Sequence, residues 1–351
     1  MANRLKYFLF PFSVIYGGVV WLRNKFYDKK IFRSAAFSLP VICVGNLSVG
    51  GTGKTPMIEY LITLLKPHYH IATLSRGYKR KSKGFVIATS QSTPSQLGDE
   101  PFQMHKKFQD VTVAVAKDRV LAIPAILQEK PETEVILLDD AFQHRAVTAG
   151  FNILLTDRNR LFTEDLMLPA GQLRDQKSSS KRADVIVVTK AEKNLSKEAS
   201  ENITKKISKN NTPVFFTALR YSEPYHIIDN KNAGSIKNKK ILLIAGIANP
   251  RPLISYLNLH TAGVSALNYQ DHHHYTASDI NTIKATFDKI PQTEKLILTT
   301  EKDAVKLAMF HNEIKDLPLF VIAAAHEFLF NEGEKFDQLI LGFVQNFEEK
   351  V

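Results

Sequence analysis

Ser48-Val49-Gly50-Gly51-Thr52-Gly53-Lys54-Thr55 has the residue types and spacing to cradle a phosphate chain. Glycines let successive backbone N–H groups converge on phosphate oxygens, and a helix beginning at Lys-Thr adds its positive dipole end. Lys54 is placed to reach β- and γ-phosphates, and the Thr55 hydroxyl to ligate Mg²⁺. The flanks suit this reading. Pro40-Val41-Ile42-Cys43-Val44-Gly45 is an apolar run of strand type, and from Met57 to Leu65 apolar residues recur at helical spacing. The pattern departs from the usual P-loop at its first position, where Ser48 replaces Gly. Val49 occupies a place where some P-loop ATPases carry a second lysine. The plainer alternative is a glycine-rich turn that only closes a strand–helix unit.

A second constellation is Val135-Ile136-Leu137-Leu138-Asp139-Asp140, an apolar strand ending in carboxylates. This is the Walker B arrangement, in which an aspartate at the strand end holds Mg²⁺ against the P-loop hydroxyl. Few oxygen ligands completed by water suit that ion. Alternatively, both aspartates only cap the next helix. Gly98-Asp99-Glu100-Pro101 puts carboxylates at a helix start, as an ordinary cap would. Lys117-Asp118-Arg119 follows another strand end, where an arginine can neutralise phosphate charge. Asp271-His272-His273-His274-Tyr275 leaves three readings open: a metal site, a catalytic or substrate-binding site, or a polar loop before the next helix. Val187-Val188-Thr189-Lys190-Ala191-Glu192 resembles the guanine-selecting loop of GTPases but differs at two positions.

The elements that must position these residues alternate strand and helix, which implies a parallel α/β sheet. Strands are expected at 70–75, 84–88, 111–116, 134–138, 152–156 and 184–189, with a polar loop from Arg158 to Arg182 whose Lys177-Ser178-Ser179-Ser180-Lys181 run is expected to be mobile. The pattern degrades between 213 and 238. A second α/β pattern follows, with strands at 240–245, near 264 and at 295–299, and helices from 249, 278 and 301. The expected fold is a P-loop NTPase domain with a mostly parallel sheet (31–225) and a smaller α/β C-terminal domain (226–351).

The chain has 351 residues, 44% hydrophobic and 23% charged, enough for two cored domains. Its one cysteine, Cys43, permits no internal disulfide and reads as core filler in a reducing compartment. A net charge of +11 suits nucleic acid, an anionic membrane or a phosphorylated substrate. No zinc-finger spacing or RNP-type motif supports the first, and no nucleic-acid partner is expected. From Tyr7 to Leu22 no residue is charged, with Arg4 and Lys6 before and Arg23, Lys25, Lys29 and Lys30 after. The run is short for a span, and it contains Pro11, Gly17 and Gly18. Residues 1–30 are therefore expected to lie in the interface of an anionic leaflet, the alternative being a first helix packed on the domain.

Taken together, these segments resemble the tetraacyldisaccharide 4'-kinase family of lipid A biosynthesis. The resemblance rests on Val44 to Pro56, Leu74-Ser75-Arg76-Gly77-Tyr78, Gly98 to Pro101, Asp118-Arg119 and Leu137 to Arg145. It continues in Leu168-Pro169-Ala170-Gly171-Gln172-Leu173-Arg174, Ala245 to Pro250, Asp271-His272-His273 and Thr299 to Lys306. These kinases also lack the first P-loop glycine. The resemblance implies ATP, Mg²⁺ and an acylated disaccharide phosphate as glycolipid acceptor, at the cytoplasmic face of the bacterial inner membrane, with the enzyme peripheral or monotopic. It implies that Asp99 accepts the acceptor's hydroxyl proton, paired with His272 first or His273 second, and that the pair assembles when the C-terminal domain closes. Lys54 and the loop residues Ser48 to Thr55 would hold phosphates. Thr55 with Asp139 or Asp140 would organise Mg²⁺, and Arg119 would steady phosphate charge. At Leu173-Arg174-Asp175-Gln176 the family has Leu-Arg-Glu-Pro, which leaves the role of Asp175 open. Two other classes fit parts of the chain: a membrane-attached nucleotide switch, supported by the loop at 189–192, and a nucleic-acid-stimulated ATPase.

Overall fold

The structure, a computed structural model, describes residues 2–208 and 211–347. It opens with helix α1 (Ala2–Asp28). Strand β1 (Val41–Asn46) leads through the glycine-rich loop into α2 (Lys54–Leu65). Then come β2 (Ile71–Ser75), β3 (Val86–Ile87), α3 (Pro94–Leu97), α4 (Asp99–Lys107), β4 (Thr112–Val115), α5 (Arg119–Glu129) and β5 (Val135–Asp139). After β6 (Phe151–Asp157), β7 (Val185–Thr189) and α6 (Lys197–Ile207), β8 (Val214–Tyr221) leaves for a second unit. That unit contains β9 (Tyr225–His226), β10 (Lys240–Ala245), α7 (Arg251–His260), β11 (Gly263–Asn268), α8 (Ala277–Asp288), β12 (Lys295–Thr300), α9 (Glu301–Leu307), α10 (His311–Ile314) and β13 (Leu319–Ile322). The chain then returns through β14 (Ala324–Phe328) and α11 (Gly333–Gln345).

The larger sheet has nine strands in the order β14-β8-β7-β6-β1-β5-β2-β4-β3, and only its outer pairs, β14–β8 and β3–β4, are antiparallel. Every residue of β1 is buried, as a central strand covered on both faces requires. Alternation sends Val41 and Cys43 to one core and Ile42 and Val44 to the other. The first core is closed by Ala122, Ile123 and Ile126 of α5, the second by Met57, Ile58 and Leu61 of α2. The smaller sheet has the order β11-β10-β12-β13-β9, with its own cores on both faces.

The smaller unit is an insertion. β14 pairs antiparallel with β8, Ala324 facing Tyr221 and Phe328 facing Thr217, and so extends the larger sheet. Phe336, Ile340 and Val344 of α11 join the core that holds Ile42 and Val44. The expected C-terminal domain at 226–351 therefore differs from the structure, in which 324–345 packs with the larger unit. Residues 1 and 348–351 of the expected segments lie outside the described residues, as do the side chains of Arg4 and Lys6. The expected mobile stretch also differs: Lys177–Arg182 forms a 3₁₀ turn with Ser179 buried.

That turn surrounds Asp175, which is fully buried. Its Oδ1 accepts from Asn24 Nδ2 at 2.7 Å, Ser179 Oγ at 2.9 Å and the Gln176 N–H at 2.8 Å, while Oδ2 meets Arg182 Nη2 at 3.1 Å. Asp175 thus fastens α1 to the larger unit. Further polar contacts line the same face of α1: Ser13 Oγ accepts from the Ala170 N–H at 2.9 Å, and Tyr16 donates to the Arg174 carbonyl at 3.2 Å. Removing one partner of a buried charge network typically costs 3–5 kcal/mol, so Asp175→Ala is expected to destabilise the fold by about 3 kcal/mol or more, read from the urea midpoint.

Candidate active site

Loop, strand end and helix start converge at the C-terminal ends of β1 and β5, in the middle of the larger sheet. Gly50 (φ 106°) and Gly53 (φ 84°) take backbone conformations that side chains disfavour, which lets the loop Ser48-Val49-Gly50-Gly51-Thr52-Gly53 turn back on itself before Lys54 and Thr55 open α2. Asn46, last in β1, donates from Nδ2 to Thr52 Oγ1 at 2.7 Å. The Val49 N–H donates to the Gln172 carbonyl at 2.8 Å, which pins the loop's first limb to the segment before Arg174. β5 lies beside β1 with Asp139 in register with Val44, so the strand-end carboxylates face the loop. Asp140 Oδ1 lies 3.6 Å from Lys54 Nζ. Arg174 grips both oxygens of Asp140, with Nη1 at 3.0 Å from Oδ2, and also donates to Asn46 Oδ1.

The two units meet at Asp99. Gly98 (φ 93°, ψ 160°) sets up α4, and a Cβ there would press on the Tyr78 carbonyl at 3.0 Å. Asp99 follows it, 7% exposed. From the smaller unit, His272 brings Nδ1 to 3.0 Å from Asp99 Oδ2, its backbone left-handed at φ 62°. Lys302 Nζ stands 3.1 Å from His272 Nε2. An ammonium only donates, so Nε2 accepts and Nδ1 carries the proton given to Asp99. Lys306 Nζ, also buried, lies 3.3 Å from the same Oδ2. His273 points elsewhere, to Asp279 Oδ2 at 3.1 Å in the cap of α8, stacked on Tyr269. His274 is exposed. Adjacent side chains diverge, and among the described residues no three His, Cys, Asp or Glu side chains gather as a metal site. A second ionic strut spans the units: Lys107 of α4 reaches Glu59 of α2 and Glu301 of α9, each at 2.7 Å.

With this geometry in place, comparison with known proteins is decisive. A family model described as "Tetraacyldisaccharide-1-P 4'-kinase" (LpxK) matches residues 5–345. The chain belongs to this family. A tetraacyldisaccharide 4'-kinase of Bacteroides thetaiotaomicron is 44% identical over 96% of this chain and 93% of its own. One from Flavobacterium psychrophilum is 45% identical over 98% of both. The solved structure of LpxK from Aquifex aeolicus in complex with ATP superposes with a TM-score of 0.76 at 30% identity, covering 97% of this chain and 99% of that one. The expected α/β fold with a mostly parallel sheet, and the kinase class, are thereby shown.

In this member of the tetraacyldisaccharide 4'-kinase family the electrostatics divide the carboxylates. Burial raises the Asp99 carboxyl, but the His272 hydrogen bond and the Lys306 charge outweigh it and hold the group below its ordinary range. For Asp140 burial is again overcome, here by Lys54 and Arg174, and its carboxyl falls to about 2. For Asp139 burial and then the Asp140 charge outweigh Lys54 and Arg119 and push the carboxyl up to about 7. Arg119, first in α5 and buried, is held below its ordinary range by burial, with Asp140, Arg76 and Asp139 as its charged neighbours. Asp139 Oδ1 and Arg119 Nε are buried without hydrogen-bond partners among the described residues, as donor and acceptor groups awaiting a charged ligand would be.

Lys302 and Lys306 were part of the resembling segment but carried no expected role. Their i, i+4 spacing after a strand end puts both on one helix face, a usable signal. Nothing local indicated that this face meets Asp99. The loop at 189–192 does not present a guanine reader. Lys190 is held by Asp157 Oδ2 at 2.6 Å and by the Gly51 carbonyl, and Glu192 faces Arg158 at 3.8 Å.

Proposed function

We propose that this chain uses ATP to phosphorylate the 4'-hydroxyl of an acylated glucosamine disaccharide 1-phosphate, the step of lipid A biosynthesis for which its relatives are named. The observation that carries the reading is Asp99, buried at the start of α4 in one unit and met by His272 from the other. The bond from the 4'-oxygen to the γ-phosphorus forms as the β–γ bridging bond breaks. The hydroxyl proton passes to the Asp99 carboxylate, and ADP leaves. His272 orients that carboxylate through Nδ1–H. Lys54 and loop amides, those of Gly53 and Lys54 among them, hold the phosphates, and Arg119 offsets charge on the transferring group. The orphaned oxygen of Asp139, with Thr55 and Asp140 nearby, fits Mg²⁺, which on binding would neutralise charge on the β- and γ-phosphate oxygens. Closure of the units excludes water, the competing acceptor. Incubation with [γ-³²P]ATP, Mg²⁺ and a detergent-dispersed acylated disaccharide phosphate should label the lipid on thin-layer plates. ATP hydrolysis without lipid labelling, or hydrolysis stimulated by DNA or RNA, would sink the reading.

The acceptor's acyl chains belong in a bilayer, and we read α1 as the contact. Its polar face is docked, through Ser13, Tyr16 and Asn24, while Phe8, Phe12, Ile15, Val19 and Leu22 form an exposed stripe at helical spacing. The exposed Lys25, Lys29 and Lys30 follow, suited to an anionic leaflet, while Arg23 donates to the Gln143 carbonyl at 2.7 Å. No helix among the described residues is long and apolar enough to cross a membrane. Attachment at the cytoplasmic face of the inner membrane, peripheral or monotopic, fits these features. Placing Glu at Phe12, Ile15 and Val19 together should weaken co-sedimentation with phosphatidylglycerol vesicles by at least about tenfold, since each apolar side chain withdrawn forfeits roughly 1.5–3 kcal/mol. Undiminished binding would remove α1 from this role.

A further inference from the structure

The far limb of the phosphate loop is held from outside, carbonyl by carbonyl. The Gly51 carbonyl accepts from Lys190 Nζ, the Thr52 carbonyl from Thr189 Oγ1 at 3.0 Å, and the Gly53 carbonyl from His326 Nε2 at 2.9 Å. A trans peptide is planar, with its carbonyl and the following N–H opposed. Seating the Thr52 and Gly53 carbonyls outward therefore aims the Gly53 and Lys54 N–H groups into the loop. Thr189 ends β7 and Lys190 follows it. His326 comes from β14, 273 residues after Gly53 and beyond the inserted unit.

His326 is 4% exposed, and its ring is fully engaged. A carbonyl only accepts, so Nε2 carries the proton and Nδ1 accepts from Thr217 Oγ1 at 2.8 Å. Thr217 lies on β8, the strand that leads out to the smaller unit, and β14 leads back. The ring also packs against Gly53, where a Cβ would stand 3.0 Å from Cε1. The Gly53 carbonyl already accepts the helical bond from the Met57 N–H at 3.2 Å, so His326 takes up its second lone pair at the residue that caps α2.

We propose that His326 is a positioning residue for nucleotide binding, seating the loop's last carbonyl through Nε2–H and thereby aiming the Lys54 amide and side chain at the phosphates. The role rests on the kinase reading above, but ATP binding tests it without any lipid. Gln at this position can present an N–H where Nε2 was. Asn reaches only the Nδ1 position. ATP affinity measured by calorimetry should fall about tenfold in His326→Ala and His326→Asn and return to within about twofold of wild type in His326→Gln, as loss of one buried hydrogen bond and its alignment would give. With the loop refilled at saturating ATP, kcat for lipid phosphorylation should stay within about threefold of wild type in all folded variants. The proposal is overturned if Asn restores affinity as well as Gln does, or if His326→Ala binds ATP within twofold of wild type. The Gln–Asn contrast decides the matter even where the Ala protein fails to fold. A wild-type chain that binds ATP yet labels no lipid would sink the kinase reading and leave this one standing.

Discussion

Replacing Asp99 by Asn is expected to cut turnover about a thousandfold while ATP affinity stays within a few fold, because positioned general bases contribute roughly 10²–10⁴. The amide keeps the size of the carboxyl and can still accept from His272, so the two units still meet. It cannot take a proton. The predicted split between turnover and affinity follows from position: Asp99 opens α4 under the smaller unit, whereas the loop proposed to hold the phosphates lies between β1 and α2. Asp99 should remain ionised throughout the neutral range, since His272 and Lys306 together outweigh its burial. Its stabilising contribution is present above the ordinary carboxylate range and is lost only as pH falls through its lowered value. Steady-state kinetics with varied ATP and varied lipid would check the split. Unchanged turnover would exclude Asp99 as the base.

Asp139→Asn should have opposite effects on activity and on stability. Turnover is expected to fall about a hundredfold or more, the scale of losing one electrostatic contact to a transferring phosphoryl group. The nucleotide-free protein should nevertheless melt higher at pH 8. An acid with a raised folded pKa carries no penalty below its unfolded value, an increasing one between the two values, and the whole of it above the folded value. For Asp139 that window runs from the ordinary 3.8 to about 7, a penalty of at most about 4 kcal/mol. Asn does not ionise, so the gain should be complete above pH 7 and vanish near pH 4. Thermal melts across that range test the sign. A melting point lower than wild type at pH 8 would show that the buried carboxylate is compensated by groups other than those named here.

The chemistry-bearing residues were legible because their geometry is short-range. A buried strand, two positive-φ glycines and Lys-Thr at a helix start determine the shape of the loop proposed to hold phosphates within about a dozen residues, whatever surrounds it. The strand ending in Asp139-Asp140 is equally local. What the tertiary structure decided was pairing across long separations. Periodicity tells which face of an element is apolar, not which surface covers it. The apolar stripe Phe336, Ile340 and Val344 would suit either sheet, and only the return of β14 beside β8 gives it to the larger one. Three adjacent histidines looked alike, and the left-handed turn at His272 alone sends one of them to Asp99. His326 carried no signal, since its partners are a glycine carbonyl and a threonine hydroxyl far away in the chain. In α1 the residues that dock, Ser13, Tyr16 and Asn24, gain meaning only from Ala170, Arg174 and Asp175, more than 150 residues on. Closing a longer loop costs only slightly more entropy, so distance along the chain scarcely restricts which partners meet. Sequence alone therefore determined the local elements and the residue types they carry, and packing complementarity decided which of them face one another.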